Sequence, residues 1–147
     1  MARKRSRSRG WALQVLYAWE TRGRAEDLPE LEREFLANRR VGTDAREYLQ
    51  TLIAALHAHV AEIDRTLEAS LLNWRLERLS IMDRNILRLA TAEMLYLGIP
   101  PRVVIQEALL LAEKYSTAES PRFINGVLDA VMRRQGVANS SRGGDPA

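Results

Sequence analysis

The side chains best equipped for chemistry sit at the start of the chain, where residues 1–10 hold Arg3, Lys4, Arg5, Arg7 and Arg9 and no acid. That stretch carries five of the 22 Lys and Arg but none of the 19 Asp and Glu, so the rest of the chain is nearly neutral. Guanidinium is planar and permanently charged; it grips phosphate with two parallel hydrogen bonds and stacks on flat rings. A segment of this kind suits single-stranded RNA, which offers both phosphates and splayed bases. A solubilising tail or a patch for acidic protein is the plainer reading of the same run. A second cluster follows Ser120 and Pro121, where Arg122, Phe123, Asn125 and Gly126 open a helical pattern. Unpaired N–H groups at a helix start favour phosphate, Phe123 offers a stacking face, Asn125 an edge-reading amide and Gly126 a close approach. The competing reading makes Phe123 a core residue and Gly126 a place where two helices touch.

Other chemistry finds little footing. The chain has no cysteine, which excludes disulfides, thiolate metal sites and thiol catalysis. Its two histidines, His57 and His59, lie two apart in a helical pattern and point away from each other, so no metal site or cofactor is expected. No GxSxG, phosphate-cradling glycine loop or HExxH occurs. Glu93 and Glu107 border apolar positions and read as partly buried, but neither has a companion base or nucleophile. Each is expected to be a structural carboxylate bonded to backbone or to an arginine, and the chain is read as no enzyme. No apolar run approaches the roughly 20 residues of a membrane span, and no signal peptide is read, so a cytoplasmic protein is expected.

The elements that position these residues read as helices. At 147 residues the chain is the size of one domain. Residues 9–21, with Trp11, Ala12, Leu13, Val15, Leu16, Tyr17, Ala18 and Trp19, are apolar nearly all round and predict a central helix buried on several sides. Pro29 opens a second helix to about Asn38. Thr43, an expected N-cap, starts a long run to Leu71 with a break predicted near His57 to His59. Ser80 with Asp83 caps a further helix that ends at Gly98, Pro101 opens another, and Ser120 is expected to cap the last. The fold class is therefore all-α, a bundle of six or seven helices. Residues 1–8 are expected to form a flexible arm, 9–135 the helical domain, and 136–147 a disordered tail with nothing to pack.

Three stretches together resemble the NusB family of transcription antitermination factors: RSRGWALQVLYAWE, LSIMDRNILRLATAEMLYLGIPPRVVIQEALLLAEKYS and SPRFINGVLDAVMRR. They are similar to the family's basic arm leading into an ALQ-LY-W helix, its DR-ILR-A-E-L and IP-VVINEA-ELAK pattern, and its S-KFVNGVLD signature. The likeness covers most of residues 5–134. Gln106 stands where the family has the Asn of INEA, Pro121 where a polar or basic residue is common, and Ser6 and Ser8 interrupt the arm.

The resemblance implies two three-helix bundles sharing a long N-terminal helix. It also implies binding to boxA RNA of nascent ribosomal RNA transcripts together with NusE, the small-subunit ribosomal protein, within an RNA polymerase antitermination complex. By position, Arg3, Arg5, Arg7, Arg9 and Tyr17 fall on the RNA-binding arm and helix, and Glu119, Arg122, Phe123 and Asn125 on a second RNA-proximal surface. Glu77, Asp83 and Arg84 fall near the NusE-facing surface. The family includes monomers and homodimers, and a homodimer that covered the arm would be an inhibited form. Two other functions fit the residues: the RNA-binding domain of a 5-methylcytosine RNA methyltransferase, and a helical interaction module whose arm meets acidic protein. Salt separates RNA from protein as the arm's partner. With about four or five phosphates neutralised on single-stranded RNA, a plot of log affinity against log salt has a slope of about −3. Replacing Arg5, Arg7 and Arg9 by alanine should flatten it while leaving helicity intact.

Overall fold

A computed structural model of the chain describes the backbone of residues 2–137 and the side chains of residues 5–137. Within that range the regular structure is six α-helices and one short 3₁₀ turn: α1 Ala2–Thr21, α2 Leu28–Ala37, α3 Thr43–Ser70, the turn Leu76–Arg78, α4 Ile81–Tyr96, α5 Pro101–Tyr115 and α6 Ser120–Arg134. No strand occurs among the described residues, in agreement with the all-α expectation.

Helices α1, α2 and α3 pack against one another, as do α4, α5 and α6. The two triplets join where α1 and α3 meet α4 and where α3 meets α6. The apolar stretch of α1 explains its place at this junction. Ala12, Leu13, Val15, Leu16 and Trp19 are all buried, while Gln14 and Tyr17 reach solvent on the one remaining face. From α1 the core continues without a gap through Leu49, Ile53 and Leu56 to Ile86, Leu87 and Leu128.

Local signals account for most boundaries, and the structure corrects several. Asp27 caps α2 through a reciprocal pair: its side chain accepts from the Glu30 N–H (2.9 Å), and the Glu30 carboxylate accepts from the Asp27 N–H (2.9 Å). Ser80 caps α4 as expected, accepting from the Asp83 N–H at 3.1 Å. Thr43 is the first helical residue of α3, and Gly42 is its cap, without a side-chain bond. The predicted break in α3 is a kink at His59 (φ −124°, ψ 16°), and helical geometry resumes beyond it so that Ile63 and Leu67 stay in the core. The His59 ring stacks on Tyr96 of α4, with centroids 3.8 Å apart, at this same point.

Ser120 does not cap α6; Glu119 occupies that position. The Ser120 hydroxyl turns back, donating to Asp83 Oδ2 (3.1 Å) and accepting from the Thr117 N–H (3.3 Å). The packed domain also extends past Gln135. Gly136 takes a left-handed conformation (φ 67°), its N–H donates to the Arg133 carbonyl and the Val137 N–H donates to the Met132 carbonyl. That closing motif brings Val137 against the core. The rest of the expected tail, residues 138–147, lies outside the described residues.

A charged network locks α1 to α3 and α4. Arg84 donates twice to Glu20 (2.7 Å each) and once to the Leu79 carbonyl (2.7 Å). Arg88, 3% exposed, bridges Glu20 and Asp64 and also donates to Asn85 Oδ1. Burial pushes the Glu20 pKa up, but hydrogen bonds from Arg84 and Arg88 outweigh it and bring it from 4.5 down to about 2. A depressed carboxylate pKa adds stability that is complete above the unfolded value and is lost as pH falls from 4.5 towards about 2. Glu20→Gln is therefore expected to lower stability at neutral pH by about 3 kcal/mol, because buried Arg88 keeps only Asp64 as counter-charge and part-buried Arg84 loses its carboxylate partner. The variant should also lose less stability than the parent on acidification across that window, as followed by circular dichroism melts.

Candidate nucleic-acid interface

The basic segment is helical: α1 begins at Ala2, where the sequence had suggested a flexible arm through residue 8. Tertiary hydrogen bonds explain the difference. Ser6 donates to Glu107 Oε1 of α5 (2.8 Å) and Ser8 to the Ala45 carbonyl of α3 (2.8 Å). Arg9 donates through Nε to both oxygens of Glu93 on α4 (2.8 and 2.9 Å) and comes within 3.4 Å of Glu107. The two serines that seemed to dilute the arm are its anchors.

These bonds sort the arginines. Arg9 is 2% exposed and faces Glu93, itself 1% exposed, so it is a scaffold residue and is withdrawn from the RNA-contact set. Burial disfavours the charged guanidinium, yet the hydrogen bond and charge of Glu93 more than compensate and raise the Arg9 pKa. Tyr48 of α3 completes the cluster by donating its hydroxyl to Glu93 Oε2; burial first, then that bond, pushes the phenol pKa up. Arg5 lies over the Tyr48 ring at 4.7 Å from its centroid. Among the described side chains of this segment, Arg5 and Arg7 are the exposed cations. Arg3 belongs to the described backbone of α1, but its side chain lies outside the described residues. Tyr48 escaped the sequence reading because its partners lie far away in the chain, at Arg5, Arg9 and Glu93.

Glu93 and Glu107 both bear out the structural assignment, as carboxylates satisfied by Arg9, Tyr48 and Ser6. Tyr17 is 44% exposed, on the solvent face of α1. Glu119 and the half-buried Phe123 line one groove with Trp74, Arg78, Leu79 and Asp83, so residues assigned to an RNA surface and to a partner surface meet in the same place. Arg122 and Asn125 are exposed on the first turns of α6 but do not line that groove. No helix touches Gly126, where an added Cβ would meet nothing within 4 Å, so helix contact is not its purpose.

Of the expected partner-facing residues, Glu77 is the one that reaches solvent, its side chain 72% exposed and paired with equally exposed Arg75 at 3.1 Å. Asp83 accepts hydroxyl protons from Ser116 (2.6 Å) and Ser120 (3.1 Å), tying α4 to the α5–α6 connection. Arg84 turns inward to Glu20 and is no free cation for a partner. Leu72 and Trp74, just before the 3₁₀ turn that carries Glu77, remain 79% and 54% exposed, two apolar side chains that the sequence reading did not single out.

Two helical triplets with exposed guanidiniums on a pinned helix end define an all-helical protein that presents a fixed cationic surface. The NusB family model matches residues 6–133, and the chain belongs to the NusB family. It is 43% identical over 138 residues to the transcription antitermination protein NusB of Acidothermus cellulolyticus, covering 93% of this chain and 92% of that protein. Against the NusB of Acaryochloris marina it is 50% identical over 115 residues, 78% of this chain, and spans only 54% of that longer relative. Among solved structures, the NusB chain of a crystal structure of antitermination factors NusB and NusE in complex with double-stranded RNA superposes with a TM-score of 0.81 at 35% identity, covering 91% of this chain and 99% of that one.

Arg7→Ala and Arg9→Ala should part company. Arg9→Ala leaves Glu93 buried and uncompensated, so it is expected to cost about 3–5 kcal/mol in a denaturant melt. Arg7→Ala is expected to change stability by less than about 0.5 kcal/mol. The helicity expected to survive replacement of all three arm arginines should therefore survive only with Arg9 left in place.

Proposed function

We propose that the chain is a non-catalytic adaptor of transcription antitermination. It acts in the cytoplasm, holds single-stranded boxA-type RNA together with the ribosomal protein NusE, and delivers it to an RNA polymerase complex. The observation that carries this reading is the pinned N-terminal turn of α1. Ser6, Ser8 and Arg9 are tied to three other helices, and Arg5 and Arg7 are left exposed at fixed positions. A cation held in place binds phosphate with less loss of chain entropy than one on a flexible tail. Arg3, Tyr17, Glu119, Arg122, Phe123 and Asn125 complete the proposed RNA contacts, with Phe123 stacking a base and Asn125 bonding an edge.

The NusE contact is proposed at the surface that carries Glu77, with Asp83 as a positioning residue behind it. Exposed Leu72 and Trp74 support this placement, because tryptophan is prominent among residues that dominate protein interfaces.

Fluorescence anisotropy with a labelled boxA oligonucleotide, single-stranded and as a duplex, with and without NusE, tests the reading. Single strands should bind more tightly than duplex, NusE should strengthen binding, and Arg5→Ala with Arg7→Ala should weaken it about tenfold or more. Leu72→Ala, outside the groove that holds Phe123, should reduce the gain from NusE and leave binding of RNA alone unchanged. Failure of the parent chain to bind boxA RNA at low salt with NusE present would overturn the proposal. Sedimentation over a concentration series should show RNA-competent monomer; a homodimer that RNA cannot dissociate would count against an exposed arm.

A further inference from the structure

Two cations on one face of a helix repel each other, and Arg5 and Arg9, a turn apart on α1, form such a pair. The structure places a third group against both. The ring centroid of Tyr48 on α3 lies 4.7 Å from the Arg5 guanidinium carbon and 5.8 Å from that of Arg9. The face of an aromatic ring is negative, so it attracts each guanidinium and offsets their repulsion. Ser8 donates to the Ala45 carbonyl, one turn before Tyr48, and so draws α1 and the first turns of α3 together. The Tyr48 hydroxyl donates to Glu93, the same carboxylate that pairs with Arg9. A phenol bonded to a carboxylate gains electron density in its ring, which strengthens the hold on Arg5.

Among the described residues Arg5 has no hydrogen bond and no ion pair, so the ring is what orders its exposed side chain. Exposed Arg7 has no such ring over it. We propose that Tyr48 is a positioning residue for RNA, holding Arg5 beside the Arg9–Glu93 joint with its N–H donors free. The inference rests on the RNA-binding reading and adds to it a residue of α3 that acts only through Arg5. Contact through the ring draws on the charge of the guanidinium and leaves its N–H fork for phosphate. Immobilising one long side chain on binding weakens affinity by roughly twofold to tenfold, and a side chain already held escapes that penalty.

A double-mutant cycle tests this, read as affinity for a single-stranded boxA oligonucleotide by anisotropy at fixed salt. Tyr48→Phe keeps the ring and loses the bond to Glu93, so it should lower the melting temperature yet bind within about twofold of the parent. Tyr48→Leu removes the ring and should bind about threefold more weakly, at a temperature where its circular dichroism matches the parent's. Arg5→Ala should weaken binding about fivefold, and adding Tyr48→Leu to it should cost nothing more. A purely structural Tyr48 predicts losses that multiply, to about fifteenfold in the double variant, and that outcome overturns the proposal. Tighter binding by Tyr48→Leu would also overturn it, because the ring would then be competing with RNA for Arg5. A second measurement needs no change at Tyr48. In the parent chain the ring current should move the Arg5 side-chain proton resonances upfield, and saturating RNA should leave that shift in place; its loss on adding RNA contradicts the proposal. If the parent chain binds no RNA, the RNA-binding reading falls and this inference with it, whereas multiplied losses in a chain that does bind overturn the positioning role alone.

Discussion

One buried ion pair, Arg9 with Glu93, holds the molecule in the form that its surface requires. Both side chains are almost wholly out of water, which is costly for each charge alone. The arrangement is tolerable because the charges meet at hydrogen-bonding distance and their remaining valences are met nearby: Tyr48 donates to Glu93, and Glu107 lies beside the Arg9 guanidinium. Those four residues come from α1, α3, α4 and α5. The pair therefore acts as a joint between the triplets, and its position sets the direction in which α1 continues towards Arg7 and Arg5. An apolar pair of similar size would fill the same space, but would leave Tyr48, Ser6 and Glu107 without their present geometry.

A second joint, about three turns further along α1, repeats the principle with opposite polarity. There the carboxylate of Glu20 belongs to α1, and the guanidiniums of Arg84 and Arg88 belong to α4. Two ionic joints with reversed signs fix both the register and the direction of α1 against α4, because sliding or inverting the helix would bring like charges together. The apolar core to which both helices contribute, with Leu13 and Leu16 from α1 and Ile86 and Leu87 from α4, supplies the burial but is less discriminating about register.

This gives the sequence motif DRNILR and its continuation to Glu93 a physical meaning. Asp83 bonds Ser116 and Ser120, Arg84 and Arg88 bond Glu20, and Glu93 bonds Arg9. All four charged side chains point into the fold. In this chain the charges of the motif belong to the scaffold, and the residues proposed above for RNA and for a protein partner, Arg5, Arg7, Trp74 and Glu77, are exposed ones elsewhere.

Helical spacing of apolar residues, proline positions and turn glycines were enough to read six or seven helices, a bend or break near His57 to His59 and the central place of α1, because these depend on neighbours within a few residues. The cationic start and the family motifs were also legible, since they are properties of composition and order. Burial at the charged positions was not. Nothing local separates Arg7 from Arg9, or Ser6 from an ordinary solvated serine. Their fates are decided by Glu93, Ala45 and Glu107, which lie on three other helices, α4, α3 and α5, and come near only once these have packed. Likewise Ser120, a good cap by sequence, turned to Asp83 because a carboxylate from α4 arrived within reach of its hydroxyl. Sequence alone determined where the helices of residues 9–135 lie and that a positive charge gathers at one end, but not that the charged segment is itself helical. Tertiary packing decided which of those charges face inward, since desolvation and long-range pairing exist only once the helices have met.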